Sequence, residues 1–170
     1  MDKRAYLRQR IEFFLSFSKD KISVPSITIV DDVRIKRISV IIQLNEDYSL
    51  QSMEIYASTH FFGEKTFDAV LCHELGHIVA FSKKIHYPLM HFRNRLKNEL
   101  SADKEGLKIF MAAGKKGLSF GKPFDYFFRT FIKKFFKLKG KTILLQDLTQ
   151  SVIRSFAILI FVFRHAIMKV

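Results

Sequence analysis

The sequence has no tryptophan, one cysteine and a shortage of acid. A single cysteine excludes an intramolecular disulfide and fits a reducing compartment. Only 16 aspartates and glutamates stand against 29 lysines and arginines, so the formal net charge is +13. A field of that sign favours acidic partners, whether nucleic acid, anionic lipid or an acidic protein, without choosing among them. Long apolar runs are also missing. The longest, 156–163, is under half of what a membrane-spanning helix requires. Nothing after the charged start Met1–Tyr6 resembles the apolar region of a signal peptide, because Arg8, Arg10 and Glu12 interrupt it. A soluble, cytoplasmic chain is therefore expected, peripheral to a membrane at most. Internal repeats and low-complexity linkers are absent too. What remains is 170 residues, 48% apolar, enough for the core of one domain with or without an extension. The nineteen phenylalanines are read as compositional bias.

Against that background one stretch carries chemistry. Residues 69–80 are apolar and helix-compatible, yet they contain His73-Glu74-Leu75-Gly76-His77. On an α-helix, residues four apart share a face, so His73 and His77 can aim two imidazoles at one point. Glu74 lies about 100° further round. It need not be a ligand, but can reach a water at an open metal position. Two imidazoles with a neighbouring carboxylate base is the donor pattern of a hydrolytic zinc site. Among Val70, Leu71, Leu75, Ile78 and Val79, unpaired polar groups would be costly, and a metal gives them a reason to be there. Cys72 is read as a small buried apolar residue.

A catalytic zinc takes a third protein ligand and keeps one position open. A metzincin continuation fails, because its glycine position is Ala80 and its last ligand position is Lys83. His86 and His91 flank Pro88 at no recognisable ligand spacing. Glu99 opens a second helical stretch, Asn98-Glu99-Leu100-Ser101-Ala102-Asp103. His73–His77 followed by Glu99-x-x-Ala102-Asp103 resembles the gluzincin class of zinc peptidases. The words from Glu99 to Leu107, then Ala113-Gly114, resemble the HtpX/CAAX-protease group and the soluble minigluzincins. The resemblance covers about residues 53–114. It implies that Glu99 is the third zinc ligand and that Asp103 fixes a ligand histidine, His73 or His77. The spacing supports the pair independently, since Glu99 and Asp103 are i,i+4 and a zinc-bound imidazole commonly gives its other N–H to a carboxylate.

The coarse reading is an α+β fold. Residues 3–18 form an amphipathic helix that covers a sheet. Residues 27–30, 35–44 and 53–58, rich in β-branched side chains, read as three strands of a small antiparallel or mixed sheet. The motif helix is placed at 65–83 and the second motif helix at 98–113, with Gly114 as its C′ residue. Gly76 suggests close packing of the motif helix on the sheet. By resemblance, strand 53–58 or its neighbour offers an edge to substrate backbone. A basic connector, 84–97, should rim the cleft, with His60, Tyr87, His91 and Arg95 as candidates to stabilise an oxyanion.

Residues 1–114 are thus expected to form the catalytic domain and 115–170 a basic, phenylalanine-rich helical extension. Residues 115–141 hold nine Lys/Arg and one acid, with Phe124, Phe127, Phe128, Phe131, Ile132, Phe135 and Leu138 as an apolar stripe. That stripe is expected to pack on the catalytic domain, with an anionic membrane surface as the alternative. No nucleic-acid motif accompanies the charge. The expected function is a zinc-dependent endopeptidase, Glu74 being the general base and a protein or peptide the substrate. Two rivals stand beside it. One is a dedicated regulatory protease like the ImmA/IrrE proteins. The other is a non-enzymatic module that binds membrane or nucleic acid through 115–141.

Overall fold

A computed structural model describes residues 2–20, 22–31, 38–46, 50–62, 67–84 and 92–114, together with Ile153, Arg154, Ala157 and Ile160. The described elements are α1 (Lys3–Leu15), β1 (Ser26–Val30), β2 (Ile38–Leu44), β3 (Leu50–Ser58), a 3-10 turn (Thr59–Phe61), α2 (Phe67–Ser82) and α3 (Phe92–Gly114). The fold is α+β, and the elements given above are three helices with a small mixed sheet.

In α1 the side chain of Asp2 accepts the Arg4 N–H at 2.9 Å and caps the first turn. Leu7, Ile11, Phe14 and Leu15 recur at helical spacing and are all buried. Arg10, on the flank of that stripe, donates two hydrogen bonds to Asp68 in the first turn of α2, at 3.1 and 2.6 Å. The rings of Tyr6, Phe62 and Phe67 meet with centroids 5.2–6.0 Å apart and bring the starts of α1 and α2 together.

The sheet order is β1-β3-β2, with β1 parallel and β2 antiparallel to β3. β3 therefore has neighbours on both sides. Among the described residues strand 53–58 is thus not an edge, and its neighbours β1 and β2 both are. Ile27, Ile38, Ile55 and Ala57 are the buried apolar positions of the strands and join the helices in one core.

α2 is apolar almost all round, as suits a helix enclosed by other elements. Phe67, Leu71, Leu75, Ile78 and Val79 are buried in the core. α2 contacts β2 on one side and lies against α3 along much of its length. The approach of α2 to α3 is set by two glycines. A Cβ on Gly76 would stand 2.1 Å from the Ala102 carbonyl oxygen, and one on Gly106 would stand 2.4 Å from that of Cys72. The close packing read from Gly76 is thus against α3, and the expectation of the sheet is corrected.

α3 begins at Phe92, six residues before the expected start at 98, so the second half of the presumed connector 84–97 is helix. Arg95 and Lys97 are long-chained residues that helices accept well, and their charge disguised the turn. Strand 35–44 is described from Ile38 onward, and α1 ends at Leu15, where Ser16 forms the C-cap. Among the described residues no helix is long and apolar enough to cross a membrane. The stripe at 115–141 lies outside the described residues, as does the rest of the expected extension 115–170 apart from the four residues named above.

Candidate metal centre

Helical spacing on α2 brings the rings of His73 and His77 to a centroid separation of 4.9 Å at an interplanar angle of 78°. Glu99, near the start of α3, reaches both. Its Oε2 lies 3.5 Å from His73 Nε2 and its Oε1 lies 3.5 Å from His77 Nε2. One ligand atom from each of the three residues lies within 4.8 Å of the others. Two atoms bound to one tetrahedral zinc at about 2.0–2.2 Å stand about 3.4 Å apart. Each His–Glu separation is of that size, one to each oxygen of Glu99. Among the described residues no other group of three or more His, Cys, Asp or Glu has this convergence.

The second carboxylate of α3 settles which histidine it serves. Asp103 Oδ1 is 2.8 Å from His73 Nδ1, and the aspartate is 3% exposed. The contact is close, yet His73 Nδ1 makes no hydrogen bond of good geometry in it, and Nε2 faces Glu99. Burial alone would pull His73 down, but the carboxylates of Asp103 and Glu99 outweigh it and raise its pKa to about 9. For His77, burial and the charge of His73 prevail over Glu99 and lower the pKa to about 4. Burial would raise Glu99 and Asp103. Instead His73 and Arg154 draw both carboxyls down to about 2, so both are ionised at neutral pH.

Glu74 points toward the edge of the sheet. Its Oε2 accepts the backbone N–H of Val40 on β2 at 2.9 Å. Burial raises its pKa, with His73 and the Val40 N–H opposing. A carboxylate in that position is more basic than one in water and is held still by the strand. Cys72, by contrast, is 1% exposed, and burial pushes its thiol well above its ordinary range, which suits an inert core residue.

The structure thus brings together His73, Glu74, His77, Glu99 and Asp103. His60 is elsewhere, 3.3 Å from Asp31 on the 3-10 turn. Arg95 is an exposed residue of α3. Tyr87, His86 and His91 lie outside the described residues. Two participants were not anticipated, the Val40 N–H and Arg154. The guanidinium of Arg154 donates to both oxygens of Asp103 and lies 2.6 Å from Glu99 Oε2.

Comparison with protein-family models, curated proteins and solved structures finds no match to this chain.

Proposed function

We propose that the protein is a zinc-dependent endopeptidase of the gluzincin type, in which His73, His77 and Glu99 hold the ion and Glu74 is the general base. The observation that carries this reading is the convergence of three ligand atoms with a half-buried, strand-anchored carboxylate on the adjoining helix position. Zinc bound by three protein ligands supplies Lewis acidity, polarising a carbonyl and bringing the pKa of water toward 7.

The remaining chemistry belongs to the chain. Glu74, with one oxygen on the Val40 N–H, uses the other to take a proton from the attacking water and deliver it to the leaving amine. Asp103 keeps the His73 tautomer that turns Nε2 toward the ion. The Val40 N–H turns away from β3 to meet Glu74, so β2 faces the site with an edge that no other described strand pairs. A peptide laid along β2 would be read through its main chain, which suits protein or peptide substrates of varied sequence.

The test combines metal analysis with cleavage of a quenched peptide. The purified chain should contain about one zinc per molecule, and a Glu99→Ala variant should contain far less. Glu74→Gln, which still accepts the Val40 N–H, should retain its zinc and lose about 10²–10⁴-fold in cleavage. A Glu74→Gln protein with wild-type cleavage would refute the base assignment. Unchanged zinc in Glu99→Ala would refute the third ligand.

A further inference from the structure

The guanidinium of Arg154 occupies a place that the reading above leaves without a role. Arg154 is far along the chain from α3, yet its side chain is only 22% exposed and is wholly engaged by two α3 carboxylates. Nε donates to Asp103 Oδ2 at 2.7 Å and Nη2 to Asp103 Oδ1 at 2.9 Å. Nη1 stands 2.6 Å from Glu99 Oε2. A planar fork with fixed N–H directions takes one carboxylate along its side and a second at its tip, which a lysine ammonium cannot do.

The carboxylates are those that define the candidate metal centre. Asp103 Oδ1 is shared between Arg154 and His73 Nδ1, so the arginine sits behind the group that sets the His73 ring. Glu99 Oε2 is shared between Arg154 and the convergence point. A ligand glutamate is ordinarily free to swing about its last torsion. Here one oxygen is pinned and the other is left facing His77 Nε2. The guanidinium is not between Glu99 and the histidines, because the 3.5 Å His73–Glu99 separation has no room for it.

We infer that Arg154 is a positioning residue for the metal centre. It orients Glu99 directly and His73 through Asp103, so that the last ligand geometry is completed by a residue from the C-terminal part of the chain. This rests on the metal-site reading above, and it assigns Arg154 no contact with substrate. Partners that orient metal ligands commonly contribute ten- to a hundred-fold in metal affinity.

The experiment uses the full-length chain as wild type, Arg154→Ala, Arg154→Lys and, as a control, Arg10→Ala. Zinc affinity is measured by competition with a chromophoric chelator, and ligand geometry from the visible absorption bands of the cobalt-substituted protein. Arg154→Ala should bind zinc ten- to a hundred-fold more weakly and shift the cobalt bands. Arg154→Lys keeps the charge without the fork and should fall between it and wild type. Arg10→Ala removes an equivalent pair with Asp68, away from the site, and should lower thermal stability with the cobalt bands unchanged. In an Asp103→Asn background, Arg154→Ala should add less than it does alone, because the two act in one chain of contacts.

A folded Arg154→Ala with wild-type affinity and cobalt bands would overturn the inference. So would tighter zinc binding, which would make the guanidinium a competitor for Glu99. If Arg154→Ala does not fold, wild-type affinity in Arg154→Lys would overturn it equally. A wild-type chain that takes up no zinc would sink the metal reading itself, a result distinct from zinc binding that ignores Arg154.

Discussion

Replacing Gly76 with alanine should weaken both the fold and the metal centre, against the usual preference of helices. In a helix interior alanine is favoured over glycine by about 0.8–1 kcal/mol. Here the added Cβ would meet the Ala102 carbonyl oxygen at 2.1 Å and the Gly106 nitrogen at 2.8 Å, where ordinary contact begins at 3.4 Å. The shortfall at Ala102 is 3.4 − 2.1 = 1.3 Å. Both obstacles are backbone, so no side chain can turn aside and α3 has to shift as a unit. Overpacking of this kind costs about 1–3 kcal/mol, and a backbone obstacle belongs at the upper end. Less the propensity gain of about 1 kcal/mol, the net destabilisation is about 2 kcal/mol.

The same shift reaches the ligands. Ala102 lies between Glu99 and Asp103, so a 1.3 Å displacement of α3 would stretch the His–Glu separations from 3.5 Å toward 4.8 Å. A tetrahedral zinc holds such atoms about 3.4 Å apart. Urea unfolding of the metal-free protein should show a midpoint lower by about 1 M, for a slope of about 2 kcal/mol/M. Zinc affinity, measured by chelator competition, should fall at least tenfold, as expected for disturbed ligand support. Gly106→Ala, whose Cβ would meet the Cys72 oxygen, should behave likewise. A Gly76→Ala protein at least as stable as wild type, with undiminished zinc binding, would refute the claim that these glycines set the helix separation.

Two further outcomes test the frame around the site. Glu105 is buried, yet Lys108 at 2.6 Å and Lys83 at 2.7 Å prevail over that burial and hold its carboxyl below the ordinary value. A folded pKa below the unfolded one gives stability that is present above about pH 4.3 and is lost as pH falls through the folded value. Glu105→Gln should therefore cost about 1–3 kcal/mol at pH 7 in urea melts, with the gap to wild type narrowing at pH 3; a gap that does not narrow would contradict the pairing. Phe14 is fully buried where α1 enters the core, and Phe14→Ala should cost about 3–5 kcal/mol by the same assay. A loss under about 1 kcal/mol would mean that α1 does not seal the core.

The parts of this molecule that could be read in advance are those governed by spacing along one helix. His73 and His77 share a face of α2 because they are four apart, and Glu99 and Asp103 share a face of α3 for the same reason. That Asp103 serves His73 instead of His77 depends on how α3 is staggered against α2, which Gly76 and Gly106 determine from opposite helices. The sequence marks Gly76 as a place of close approach but does not determine which element approaches. For the same reason the strands 27–30 and 53–58 were visible from composition, while the order β1-β3-β2, and with it the identity of the edge, was not. The charged turn Arg95–Lys97 hid the start of α3, because a solvated helix face and a basic loop have the same composition.

Arg154 shows where a physical rule could have gone further than spacing. It stands at the head of 156–163, the most apolar run in the chain, and a cation entering such surroundings needs an acid as its partner. Only two acids among the described residues are buried, Asp103 and Glu105. Glu105 is already neutralised by Lys83 and Lys108, whereas Asp103 faces a histidine whose neutral form is the one that binds metal. With His73 neutral and no ion bound, the charges of Glu99 and Asp103 would be left unbalanced, Asp103 at 3% exposure. Two ionised carboxylates in a site without an ion thus call for a cation beside them. Arg154 is that cation, held by Asp103 and Glu99 of α3 and supplied by neither ligand helix.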